Sequence, residues 1–128
     1  MAQQPRILSV GQCSADHGSI SRHLARTLDA HVVGAGTAAE ALTALRAGPF
    51  QLVLVNRVGD ADGAPGLDLI RSLKAAPELA AVPVMLVSNY ADAQAQAVGL
   101  GALPGFGKAQ LADPETGQRL KAALAGGV

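Results

Sequence analysis

Aromatic rings, cysteine and surplus charge are all scarce in this chain. Only 2% of its 128 residues are aromatic, with no Trp, one Tyr and two Phe. That is too few flat rings for a base-stacking platform. Ten Lys and Arg balance ten Asp and Glu, and the basic residues stand singly from Arg6 to Lys121. Without a basic stripe to displace counterions, nucleic acid is not the expected partner. A single Cys excludes an internal disulfide framework and a Cys-based zinc site. His17, His23 and His31 are scattered and form no metal cluster. Apolar runs are short and the stretch Met1 to Arg6 is polar. These features predict neither a signal peptide nor a membrane span, so the cytoplasm is the expected location.

What is present suits a packed globule. Hydrophobic residues make up 49% of the chain and the net charge is zero, which argues against disorder. The length predicts one domain, residues 1–128, with its core from about 6 to 124. Chains of this size bury about 65–70% of their unfolded surface, enough for a core without disulfides or metals.

Apolar runs and helical spacings alternate along the chain. Ile7-Leu8-Ser9-Val10 reads as a buried strand ended by Gly11. Ile20, Leu24 and Leu28 recur every four residues on an amphipathic helix, with Ser14 or Asp16 as its cap. His31-Val32-Val33 is a second strand. Thr37 and Glu40 have capping-box spacing ahead of Ala41, Leu42 and Leu45. Gly48-Pro49 should stop that helix, with Gly48 in a left-handed conformation. Residues 51–56, Gln-Leu-Val-Leu-Val-Asn, are apolar almost throughout and predict a central strand.

Residues 57–66 are loop by composition, and Leu67, Ile70 and Leu73 mark a third helix. Residues 82–88 form a fourth strand with Pro83 near its start, where a missing N–H does least harm. An Ala-rich helix spans 91–100, and Phe106 lies in a short fifth strand. Asp113-Pro114-Glu115 opens a last helix, with Leu120, Ala123 and Leu124 facing inward and Gly126-Gly127 ending it. Strict strand–helix alternation implies an α/β fold with a parallel sheet and helices on both faces. Five such units predict the doubly wound, flavodoxin-like order 2-1-3-4-5, with the functional crevice where strands 1 and 3 end. Gly11, Gln12, Cys13 and Asn56 should line it, and Ser88 and Lys108 should approach from strands 4 and 5.

From Arg6 to about Leu124 the ordered series of segments resembles bacterial response-regulator receiver domains. The stretches that carry this likeness are 6–10, 37–42, 51–56, 66–70, 82–88 and 101–108. The resemblance implies a role in two-component signal transduction. In that family an aspartate ending strand 3 accepts a phosphoryl group, and an acidic pair after strand 1 helps it hold magnesium. A Ser or Thr and a Lys bind the phosphoryl oxygens, so that metal and Lys offset the repulsion between carboxylate and phosphoryl anion. This chain keeps Ser88 and Lys108 at the matching positions. Gly11 and Gln12 stand in place of the acidic pair, and Asn56 in place of the phosphoacceptor. Magnesium prefers hard anionic oxygens, and an amide is a poor nucleophile, so no magnesium, other metal or cofactor is expected. The loop after Asn56 is about two residues longer than the family's, and Phe106 sits one residue closer to Lys108 than the switch aromatic does.

The resulting expectation is a degenerate receiver, or pseudo-receiver. It is not an enzyme and signals by protein contact with a kinase, an output domain or a second copy. The family's partner face corresponds here to residues 91–124. Asn56 is either a neutral mimic bonded to Lys108 or a tolerated substitution, and Lys108 is either free to recruit an anion or paired with a polar neighbour. A Cys13-based phosphocarrier or phosphatase-like enzyme is the alternative, because the thiol falls near a helix N-terminus. However, the phosphatase spacing fails, since residue 19 is Ser and the first Arg is Arg22. A small-anion sensor using Ser88 and Lys108 is a third reading. Asp60 and Asp62 resemble a fragment of a calcium loop but lack its closing Glu, so they read as a solvated turn. His17 and His23 are expected on the helix surface.

Overall fold

A computed structural model describes residues 4–125. Five strands alternate with five helices: β1 (Arg6–Val10), α1 (Ser14–Leu28), β2 (His31–Ala35), α2 (Ala38–Ala47), β3 (Leu52–Asn56), α3 (Gly66–Ala75), β4 (Val84–Val87), α4 (Ala91–Gly99), β5 (Leu103–Phe106) and α5 (Pro114–Ala125). The sheet is parallel throughout, in the order β2-β1-β3-β4-β5. This is the doubly wound fold expected from the alternation. Its central strands β1, β3 and β4 are buried on both faces, which is why they read as unbroken apolar runs.

Alternate side chains of each strand feed two separate cores. Leu8, Val10, Val53, Val55, Val84 and Leu86 pack against Ala41, Leu45, Leu69, Ile70, Leu73 and Ala97 on one face. Ile7, Leu52, Leu54, Met85, Val87 and Phe106 pack against Ile20, Leu24, Leu120 and Ala123 on the other. At about 1.5–3 kcal/mol for each fully buried large aliphatic side chain, these two layers hold the strand ends at fixed spacing.

Local details differ from the sequence reading at four places. The N-cap of α1 is neither Ser14 nor Asp16 but Cys13, whose Sγ accepts a hydrogen bond from the Asp16 N–H at 3.4 Å. Thr37 caps α2 by accepting from the Glu40 N–H at 3.2 Å, but the Glu40 carboxylate reaches back to the Gly36 N–H rather than to that of Thr37. Gly48 ends α2 in an extended conformation, φ −166°, so no left-handed residue is needed there. Pro83 lies just before β4, where its carbonyl accepts from the Val53 N–H. Gly126 and Gly127, expected to end α5, lie outside the described residues.

Candidate functional site

The C-terminal ends of β1 and β3 bring Gly11 and Asn56 together, as the topology requires. Asn56 is half-buried. Its side-chain Nδ2 donates to the Gly11 carbonyl at 3.0 Å and to the Val58 carbonyl at 2.7 Å. Both partners are acceptors only, so only the nitrogen end of the amide can sit there. Asn56 therefore does not bond Lys108, as the mimic reading required. It ties the loop after β1 to the loop after β3.

Gly11 closes the crevice further. Its φ is +77°, a conformation L side chains adopt at a cost, and a Cβ added there would lie 3.1 Å from Gly59 Cα. The Gly11 carbonyl also accepts from the Asp60 N–H at 2.9 Å. The longer loop after β3 is what supplies these contacts. It is ordered as a small hairpin-like turn, with Val58 bridging Pro65, Gly59 N–H donating to Ala64 O, and Asp62 Oδ1 accepting from the Ala64 N–H. Asp62 serves that turn, in keeping with its reading as a turn residue.

Lys108, just after β5, pairs with Asp16 of α1, Nζ to Oδ2 at 2.6 Å. Of the two readings for this lysine, pairing with a neighbour is the one the geometry takes. The bond from Lys108, helped by the contact with Cys13, holds the Asp16 carboxyl below its ordinary range. Asp16 was visible in the sequence only as a cap. Its contact with Lys108 spans ninety-two positions of chain, which no local signal encodes.

Asn56, Ser88 and Lys108 do share one cleft, about 250 Å³, together with Arg57, Val58, Val87, Asn89 and Tyr90. Ser88 is buried, and its Oγ accepts from the Tyr90 N–H at 3.1 Å. Gln12 and Cys13 do not line this cleft. The amide atoms of Gln12 are buried without a protein partner, as is Ser9 Oγ. The Cys13 thiol is engaged as the α1 cap. His17 is half-buried rather than superficial, because its ring lies over Gly34 of β2. Phe106 is fully buried in the α1–α5 core.

These donors do not suit magnesium. Position 11 offers no side chain, and position 56 presents an amide nitrogen to the carbonyls at the crevice floor. Magnesium wants near-octahedral oxygen ligands, usually including a carboxylate. Among the described residues no three His, Cys, Asp or Glu side chains cluster in a way that could hold a metal ion.

Fold and strand-end crevice together define a doubly wound, flavodoxin-like α/β module. Solved receivers superimpose on nearly the whole chain. A response regulator from Thermotoga maritima is 25% identical, with TM-score 0.77, and the match covers 96% of this chain and 99% of that one. The signal receiver domain of a DNA-binding response regulator from Colwellia psychrerythraea 34H is 20% identical, with TM-score 0.79 over 95% and 99% of the two chains. A receiver protein from Pseudomonas putida is 22% identical, with TM-score 0.72 and full coverage of both chains. No family model and no curated protein matches the sequence. In fold, the chain is similar to response-regulator receiver domains over nearly its whole length.

Three substitutions test the geometry. Asn56→Asp removes both donated hydrogen bonds and sets a carboxylate against two carbonyl oxygens, which should cost about 2–4 kcal/mol in urea denaturation. The new carboxyl should titrate above its unfolded value, so the variant should lose stability as pH rises through that range, whereas wild type should not. Gly11→Asp should cost at least about 1–2 kcal/mol from the positive φ alone. Because the pKa of Asp16 is depressed, its pairing contributes fully above the unfolded carboxyl pKa and is lost as pH falls through the folded value. Asp16→Asn should therefore remove about 0.2–1 kcal/mol at neutral pH, the scale of a part-exposed pair, and nothing below the folded pKa. An Asn56→Asp protein as stable as wild type would refute the clamp.

Proposed function

We propose that this protein is a pseudo-receiver. In this reading it is a two-component-type signalling module that acts through protein contact, without aspartyl phosphorylation and without enzymatic activity. The observation that carries this is the Asn56 amide bonded to the carbonyls of Gly11 and Val58. A nucleophile is missing from the centre of the crevice, and the backbone of Gly59 stands where a side chain at position 11 would begin.

The partner side supports the same reading. One face carries a groove of about 530 Å³ whose walls include Tyr90, Ala95, Val98, Pro104, Phe106 and Arg119. Tyr90, Val98 and Leu103 are among the few large apolar side chains left exposed. The face is also fixed in place. Gln94 Nε2 donates to the Leu86 and Ser88 carbonyls at 2.9 and 3.1 Å, and its Oε1 accepts from the Gly105 N–H at 3.0 Å. Arg119 donates to the Gly105 carbonyl at 2.7 Å. Side chains from α4 and α5 thus hold the edge strand β5. A surface pinned in one arrangement suits a partner that reads a constant shape, such as a kinase, an output domain or a second copy of the chain.

A cytoplasmic location belongs with this reading. Among the described residues no helix is long and apolar enough to cross a membrane. The direct test is intact-mass analysis after incubation with a small acyl phosphate and magnesium. We expect the unmodified mass at all times. A labile phosphoryl adduct on the wild-type chain would overturn the proposal.

A further inference from the structure

The loop after β3 and the start of α4 enclose a separate hollow of about 370 Å³ on the α3 side of α4. Its two walls differ in charge. Arg57, Val58 and Leu67 form the wall toward α3, and Tyr90, Asp92 and Gln96 form the wall on α4. Among the described residues four large apolar side chains are left exposed, and two of them stand here: Val58 at 41% and Tyr90 at 58%. The other two, Val98 and Leu103, lie toward β5. Arg57 and Asp92 have no ion-pair partner among the described residues, whereas Arg46, Arg71, Lys108 and Arg119 each have one. The Arg57 guanidinium lies over the Tyr90 ring, 4.7 Å from the centroid. Held by its flat face, it keeps its N–H edge available for a carboxylate.

A patch that carries a cation on one wall and an anion on the other, not paired with each other, is complementary to its own copy. A two-fold axis through the hollow sets each wall against the opposite wall of a second molecule. We infer that a second copy of this chain docks here, in an isologous contact in which Arg57 meets the partner's Asp92 and Val58 packs on the partner's Tyr90. A partner of one charge sign would leave either Arg57 or Asp92 facing its like, and such juxtaposition is costly. A second copy leaves neither. The net charge of zero adds no overall repulsion between copies. The contact lies on the other side of α4 from the groove beside β5, so that groove stays open to a different protein. The inference rests on the preceding reading only for the premise that this chain acts by contact with protein, and it names one such protein and its face.

Sedimentation equilibrium of the full chain, loaded at about 10 μM to 1 mM, covers the affinities of a small, partly polar contact. We expect a reversible monomer–dimer equilibrium that weakens as sodium chloride is raised, because the charge pair sits at an exposed rim. Arg57→Asp and Asp92→Arg each set like charges across the axis and should raise the dimer Kd about tenfold or more. The double swap, Arg57→Asp with Asp92→Arg, re-forms the pair in reverse and should recover most of that loss, which damage to the surface alone would not allow. Both positions are exposed, so circular dichroism of the variants should match wild type. Val98→Ser combined with Leu103→Ser, on the β5 side, should leave the dimer unchanged. A wild-type chain that stays monomeric throughout would overturn the inference. So would single swaps without effect, a double swap no tighter than the singles, or dissociation by the Val98 and Leu103 changes. None of these results alters the outcome of the intact-mass experiment, and a phosphoryl adduct there would overturn the pseudo-receiver reading while leaving the dimer in place.

Discussion

One amide nitrogen organises the crevice. In an open strand-end site, the carbonyls of Gly11 and Val58 would converge on a common point and need a positive partner there. The Asn56 Nδ2 group supplies two N–H dipoles at 3.0 and 2.7 Å. It also ties the loop after β1 to the loop after β3. An aspartate at the same position would turn oxygen toward oxygen. The difference between amide and carboxylate thus reverses which occupant the floor favours, and the surrounding loop geometry follows that choice. Gly11 adopts a positive φ, Gly59 moves in beside it, and the added residues of the loop fold into an ordered turn that donates from Asp60 N–H to the same Gly11 carbonyl. The neutral residues at 11 and 56 act as one interlocked set.

The layers of the fold were legible because burial on both sheet faces writes itself as apolar runs, and amphipathic helices write themselves as three- and four-residue spacings. Strand order followed from alternation and crossover handedness. The crevice was legible only as a list of positions. Asn56, Ser88 and Lys108 could be placed there because strand ends fix them. Their bonds could not, since each depends on side-chain reach across the sheet. Asp16 meets Lys108 from the first turn of α1, which begins one residue earlier than a Ser14 cap would give because Cys13 is the cap. Arg57 was hidden for a similar reason: it sits in a loop whose composition announces a turn but not the ring on which the guanidinium rests. Gln94 was read as part of an alanine-rich helix, yet it is the residue that joins α4 to both β4 and β5.

That last linkage connects the crevice with the outer face. Ser88 N–H donates to the Phe106 carbonyl, Gln94 takes the Ser88 carbonyl, and Tyr90 follows two residues on as a wall of both the small cleft and the larger groove. Because the Gln94 and Arg119 bonds hold the backbone of β5 and the start of α4 in place, the freedom left at the mouth of the crevice lies in its side chains, above all the exposed Tyr90 ring.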